Sequence, residues 1–261
     1  MVESRPVAEG VGNERAENGV GEGSDVGTDG GFDDAFALAD RIPGWLTRDQ
    51  ARVLWDAASA LTGGAHVVEI GSHQGRSTVV LARALGRNGG RLTAIDAFVD
   101  GPRYGGASTR AVLLANLEQA GVSSIVDVVG ARSRQARSRW SEPIDLLWVD
   151  GKHDYWTCTD DLRWTRYLPD GGRCLVHDAF SSIGVTSSLI LNVLPSRRLR
   201  LIGRVGSLAT IEVSRPHLAD RLRFLGQLPW WVRNVVIKVL LRLGLGSVTR
   251  RLGHVGPFDP Y

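Results

Sequence analysis

The sequence predicts an α/β fold: a doubly wound sheet, mostly parallel, with an antiparallel C-terminal hairpin strand and C-terminal amphipathic helices beyond it. Three observations carry that prediction. Apolar, β-branched runs alternate with helical patterns between residues 66 and 194, as successive βαβ units require. The first run ends in Glu69-Ile70-Gly71 and passes through Gly75 directly into a helical pattern, giving the strand, tight loop and helix of a nucleotide-binding unit. The 261 residues, 43% of them hydrophobic, suit one such domain with extensions.

Residues 1–32 are rich in Gly, Glu, Asp and Val and have almost nothing to bury, so they read as a disordered acidic arm. The domain itself is expected over 33–214, and a basic amphipathic helical extension over 215–261. The net charge of +3 hides an uneven distribution, an acidic arm and an arginine-rich tail, so no general basic surface for nucleic acid follows. Cys158 falls in a predicted helix and Cys174 in a predicted strand, which fits a reduced, cytoplasmic chain. No apolar signal segment follows Met1, and the tract 225–245 is interrupted by Arg233, Lys238 and Arg242, so neither export nor a membrane span is expected.

Thr47 and Gln50 form the signature of a capping box, and Val53, Leu54, Ala57, Ala58 and Leu61 make the apolar stripe of the helix they start. That helix either lids the nucleotide site or packs on the sheet. After the first loop, Val79, Val80, Leu81, Ala84 and Leu85 give the buried face of a crossover helix. The run 91–96 is a strand ending in Asp96, whose carboxylate can accept from both ribose hydroxyls. Residues 97–108 connect it to a helix that buries Leu113, Leu114, Leu117 and Ala120; Arg103 and Tyr104 on this connection are candidate substrate contacts. A third strand, 125–129, ends at Gly130, followed by Arg132 and Ser133.

The fourth strand closes on Asp150, with His153 a short turn beyond, and the fifth on His177-Asp178 after a Pro-Asp-Gly-Gly turn. Four strand tips thus bring Glu69, Asp96, Asp150 and His177-Asp178 to one edge, and carboxylates so gathered suggest a site. A helix over 183–194 and a hairpin around Gly206 complete the domain. In the last region Arg233, Asn234, Lys238 and Arg242 are expected near one helix face, with tryptophans and aliphatics on the rest. Residues 230–245 would then contact a membrane surface as a peripheral helix at the inner face, or pack on the core or against a second subunit as a homo-oligomer.

Charge selects the ligand of the first loop. The middle glycine of a dinucleotide loop is missing, Ser72, His73 and Gln74 lie between Gly71 and Gly75, and Glu69 would repel a phosphate. A cationic nucleoside is favoured, and the Glu-x-Gly-x-x-x-Gly loop is common among methyltransferases that use S-adenosyl-L-methionine.

With V-E-I-G-S-x-x-G-R-S-T, V-D-G-x-H-x-Y and L-P-D-G-G-x-x-x-x-H-D (where the family pattern reads L-x-P-G-G) in order over residues 45–214, the chain resembles the class I, Rossmann-like S-adenosylmethionine-dependent methyltransferases. Within them it is similar to the macrolide sugar and small-molecule O-methyltransferases. The resemblance implies O-methylation of a hydroxyl on a sugar, glycolipid or other small secondary metabolite. It implies Glu69, Gly71, Ser72, Gly75 and Ser77 at the methionine end, Asp96 with Ala97 and Phe98 at the ribose, and Gly130, Ala131, Arg132 and Ser133 at the adenine, with Asp150 also touching the cofactor. Ala131 stands where many relatives carry an acid. The resemblance further implies Mg²⁺ or another divalent cation on Asp150 and Asp178, with His177 as an unmatched third ligand, and His153 as general base. A histidine that merely caps the next helix is the other reading of His153. A protein that binds the cofactor without chemistry, or works at a membrane surface, is the alternative function on the same fold.

Overall fold

The computed structural model describes residues 30–99, 106–251 and 253. The chain opens with α1 (Gly30–Asp40) and α2 (Arg48–Ser59), then alternates β1 (His66–Ile70), α3 (Arg76–Gly86), β2 (Arg91–Asp96), α4 (Gly106–Gln119), β3 (Val126–Gly130), α5 (Ser133–Arg137), β4 (Leu146–Val149), α6 (Tyr155–Leu162), β5 (Arg173–Val176) and α7 (Ile183–Asn192). It ends with β6 (Leu199–Val205), β7 (Leu208–Val213), α8 (Leu218–Leu225), α9 (Leu228–Arg242) and α10 (Gly246–Arg251). The sheet order is β3-β2-β1-β4-β5-β7-β6, parallel except that β7 runs antiparallel to β5 and β6. The predicted mixed, doubly wound architecture is the one observed.

Strand order reverses between β1 and β4, and a ligand crevice in such a sheet opens there, beyond the carboxyl ends of the strands. The register makes the tips level: Ile70 pairs with Val149, and Val149 with Val176. Alternation then divides the side chains. Val67, Leu146, Trp148 and Leu175 face a core shared with α1, α2 and α3, whereas Val68, Ile70, Leu147, Val149, Cys174 and Val176 face a core shared with α6 and α7. Continuing that parity, Glu69, Asp150 and His177 lie on the α2–α3 side.

The Thr47–Gln50 capping box is present, both bonds formed, and Leu54, Ala57 and Ala58 are buried with Val53 and Leu61 at the margin. The buried face of α3 contains all five expected residues. Both cysteines are buried, unbridged thiols.

Four expectations need correction or fall outside the described residues. The arm 1–32 overlaps α1, whose Phe32 is buried edge-on against Trp55 at 6.0 Å between ring centroids, so Phe32 belongs to the core; residues 1–29 lie outside the described residues. Leu114 is 41% exposed, because it lies off the inward face of α4 that buries Leu113 and Leu117. Arg103 and Tyr104 lie outside the described residues. On α9 the expected polar face is divided: Asn234 is fully buried and donates its Nδ2–H to the Phe180 carbonyl (3.2 Å), beside fully buried Ile237. The exposed stripe is aliphatic instead, formed by Val232, Val236, Val239 and, just beyond α9, Leu243, while Trp230 and Trp231 pack against the second core. The C-terminal helices are anchored through Phe224, 5.3 Å from the Phe180 ring.

Leu81 is fully buried at the centre of α3. Leu81→Ala is expected to lower stability by about 2–5 kcal/mol in urea unfolding, from lost transfer energy and the cavity left behind.

Candidate functional site

The loop after β1 is held by close approach. A Cβ at Gly71 would overlap the Asp150 carbonyl and come within 2.9 Å of the Gly151 Cα, so glycine there lets the tips of β1 and β4 meet. Gly71 (φ +91°) and Gly75 (φ +95°) also have left-handed backbone, the latter as the residue that turns the loop into α3. His73, Phe98, Asp178 and Phe180 adopt positive φ as well, although none is glycine. All four sit just beyond β1, β2 or β5, and such strain concentrates where side chains are held for function.

Glu69 is fully buried, and its two carboxylate oxygens accept from Ser77 Oγ (2.5 Å) and Thr78 Oγ1 (2.6 Å) in the first turn of α3. Burial is the first cause that pushes its pKa up to about 8; the two hydroxyls oppose it and the nearby Asp150 and Asp96 charges reinforce it. Glu69 therefore braces the loop from beneath. Ser72, buried beside it, has a hydroxyl without a hydrogen-bond partner.

Asp96 joins two loops: Oδ2 accepts from the His73 backbone N–H and Oδ1 from the Phe98 backbone N–H, each at 2.9 Å. Each oxygen keeps a second lone pair. Along β3's end, Gly130 and Arg132 are at the surface, and a Cβ at Gly130 would meet only the Phe98 ring, at 3.9 Å. The Ser133 hydroxyl donates to Asp161, an acid on α6 that the motifs did not single out. Burial pushes the Asp161 pKa up to about 7, the Ser133 bond opposing it, and its other oxygen has no partner.

Asp150, His153, His177 and Asp178 form one group, with an oxygen or ring nitrogen of each within 4.8 Å of all the others. His153 Nε2 lies 3.0 Å from Asp178 Oδ2 and 3.6 Å from Asp150 Oδ1. His177 Nδ1 lies 3.2 Å from Asp150 Oδ1 and 3.4 Å from Asp178 Oδ2, yet it makes no well-aligned hydrogen bond to either. Burial alone would lower the His177 pKa, but the Asp150 and Asp178 carboxylates outweigh it and carry it up to about 10. Burial likewise opposes the shift of Asp178, whose carboxyl the His177 and His153 rings hold well below the usual carboxylate range. His153 is raised too: desolvation is exceeded by the bond to Asp150 and the charges of Asp178 and Asp150. His153 is half-exposed and His177 buried, so the first is the ring that meets bulk solvent.

The expected residues at the tips of β1, β2, β4 and β5 are thus gathered at one rim. Sequence reading missed Gln50, which is buried and reaches His177 Nε2 at 3.3 Å. The capping box announced its place on α2, but nothing local announced a contact 127 positions away.

The raised Glu69 pKa has a definite sign. The folded state holds a proton there that the unfolded chain releases, so stability falls as pH rises from about 4.5 to about 8. Glu69→Gln is expected to remove that component, which amounts to at most about 1.4 kcal/mol per pH unit, in urea unfolding compared across the window.

A family model described as a methyltransferase domain matches residues 68–179, from β1 through the tip of β5. Among solved structures, cofactor-bound Rv0187 from MTB is 24% identical, with 73% of this chain and 93% of that one covered and a TM-score of 0.54. The O-methyltransferase from Bacillus cereus in complex with SAH is 19% identical (72% and 93% covered, TM-score 0.53). The O-methyltransferase TomG from Streptomyces achromogenes, involved in tomaymycin synthesis and in complex with SAM, is 20% identical (72% and 91% covered, TM-score 0.53). The matched segment contains the glycine loop, Asp96 and the whole Asp150–Asp178 cluster, so this stretch is similar to methyltransferase domains, and the chain shares the fold of these solved structures.

Proposed function

We propose that this protein transfers the methyl group of S-adenosylmethionine to a hydroxyl oxygen of a small acceptor, a sugar, glycolipid or other secondary metabolite. The observation that carries the reading is the pairing, on one rim, of a glycine loop and Asp96 with the cluster of Asp150, His153, His177 and Asp178. The methionine end lies over Gly71, Ser72 and Gly75, with Glu69 and Ser77 supporting the loop from below. Asp96 takes the ribose through its remaining lone pairs, beside Ala97 and Phe98. The adenine lies toward Gly130, Ala131, Arg132 and Ser133. The domain responsible spans residues 33–214 and extends through α1 to residue 30, with 215–261 as an appended extension.

Methyl transfer breaks the sulfonium C–S bond as the acceptor oxygen forms its bond to the same carbon, and the hydroxyl proton must leave. The protein's main contribution is to hold donor and acceptor in line and in contact. His153 is half-exposed at the rim and receives the proton, and Asp178, 3.0 Å away, stabilises the imidazolium that results.

The cluster also fits a divalent cation. His177 Nδ1 is a buried polar atom without an aligned partner, and two carboxylate oxygens lie within 3.4 Å of it. Asp150, His177 and Asp178 would hold the ion, a mixed oxygen and nitrogen set suited to Mn²⁺ or Mg²⁺. A cation held there would supply Lewis-acid chemistry that lowers the pKa of an acceptor hydroxyl.

A second reading concerns location. Among the described residues no helix is long and apolar enough to cross a membrane. The aliphatic stripe of Val232, Val236, Val239 and Leu243 favours peripheral contact with a lipid surface, its apolar side chains entering the interface.

His153→Ala is expected to leave the calorimetric affinity for S-adenosylmethionine unchanged and to reduce kcat by about 10²–10⁴-fold. Unchanged turnover would remove the base assignment. For the location, the full chain is expected to float with anionic liposomes, and a Val236→Ser/Val239→Ser variant to remain in the soluble fraction. Truncation is a poorer test, because it would uncover Phe180.

A further inference from the structure

We infer that Gln50, on α2, sets the tautomer of His177 and thereby determines that Nδ1 is the ring nitrogen turned toward the cation site. The inference rests on reading Asp150, His177 and Asp178 as cation ligands, and adds to them a positioning residue from a distant element.

Gln50 is 1% exposed, and its carboxamide is held from three directions. The Thr47 backbone N–H, which can only donate, lies 3.0 Å from Oε1. That bond assigns the two ends of the amide. Nε2 is left to donate to Ser207 Oγ, at 3.0 Å. The wall behind it is the β6–β7 turn, where a Cβ at Gly206 would stand 3.3 Å from Gln50 Nε2.

His177 Nε2 approaches the same Oε1, at 3.3 Å. An amide oxygen only accepts, so His177 Nε2 carries the hydrogen. A ring that takes a cation on one nitrogen keeps a single N–H, so a hydrogen held on Nε2 leaves Nδ1 as the lone-pair atom offered to the cation. Nδ1 is the atom between Asp150 Oδ1 and Asp178 Oδ2. The opposite tautomer would set two acceptors against each other in a buried contact and place a hydrogen where the cation belongs. Metal-binding histidines generally donate their other ring N–H to such a partner, and losing it weakens the metal about 10–100-fold. Gln50 therefore serves two ends: it closes the cap of α2 and orients a ligand at the tip of β5.

The test is Mn²⁺ binding to the full chain by calorimetry. Gln50→Met, similar in size but lacking the acceptor, is expected to bind Mn²⁺ about 10–100-fold more weakly with its affinity for S-adenosylmethionine unchanged. Gln50→Glu retains an acceptor and is expected to stay close to the wild type. Thr47→Ala removes the capping hydroxyl but leaves the amide contact, so it is expected to lower the melting temperature without weakening Mn²⁺. Wild-type Mn²⁺ affinity in Gln50→Met, or an equal loss in Thr47→Ala, would overturn the inference. Absence of Mn²⁺ binding in the wild type would instead remove the cation reading. The ¹⁵N shifts of the His177 ring in the Mg²⁺-loaded wild type decide the tautomer without any variant: a protonated Nε2 beside a bare Nδ1 upholds it, and a bare Nε2 sinks it.

Discussion

The contact on which the rim depends is the approach of two backbones, Gly71 at the end of β1 and Asp150 at the end of β4. No side chain fits between them. Because the two strands are hydrogen-bonded neighbours in register, the Asp150 backbone N–H still reaches the Ile70 carbonyl at 2.8 Å, and the His177 N–H reaches the Val149 carbonyl at 2.9 Å. The ladder thus continues to the tips, and Asp150 and His177 are delivered level with each other. Everything chemical at the site is mounted on that ladder.

Charge explains why the rim needs such firm support. Three groups of like sign, Glu69, Asp96 and Asp150, converge on one loop, and each is handled differently. Glu69 is buried, held by two hydroxyls and biased toward its protonated form. Asp96 is anchored by two backbone N–H groups. Asp150 is balanced by His177 and His153, which lower its pKa in spite of burial. The left-handed backbone at His73, Phe98, Asp178 and Phe180 belongs to the same economy: sparsely populated conformations persist where surrounding bonds over-determine them.

The helices that flank the sheet do more than cover it. Through Gln50, α2 connects its own cap to the cluster, and through Asn234, α9 is tied to the backbone at Phe180, two residues past Asp178. The C-terminal extension is therefore in contact with the segment that carries the rim. Its exposed aliphatic stripe lies on the opposite side from these anchors.

Local pattern determined much of this protein. Strand and helix positions, the antiparallel hairpin about Gly206, the capping box and the gathering of acids at one sheet edge all follow from periods of two and of about 3.6, together with glycine placement, because these act over a few neighbouring residues. Tertiary structure alone decided the rest. Whether Glu69 faces the ligand or the hydroxyls of α3, whether Asn234 is solvated or buried, and which residue meets the far nitrogen of His177 depend on groups far apart in the chain. Hydrophobic periodicity carries information about burial, whereas the partner of a buried polar atom is fixed only when distant segments pack, and no local pattern encodes it.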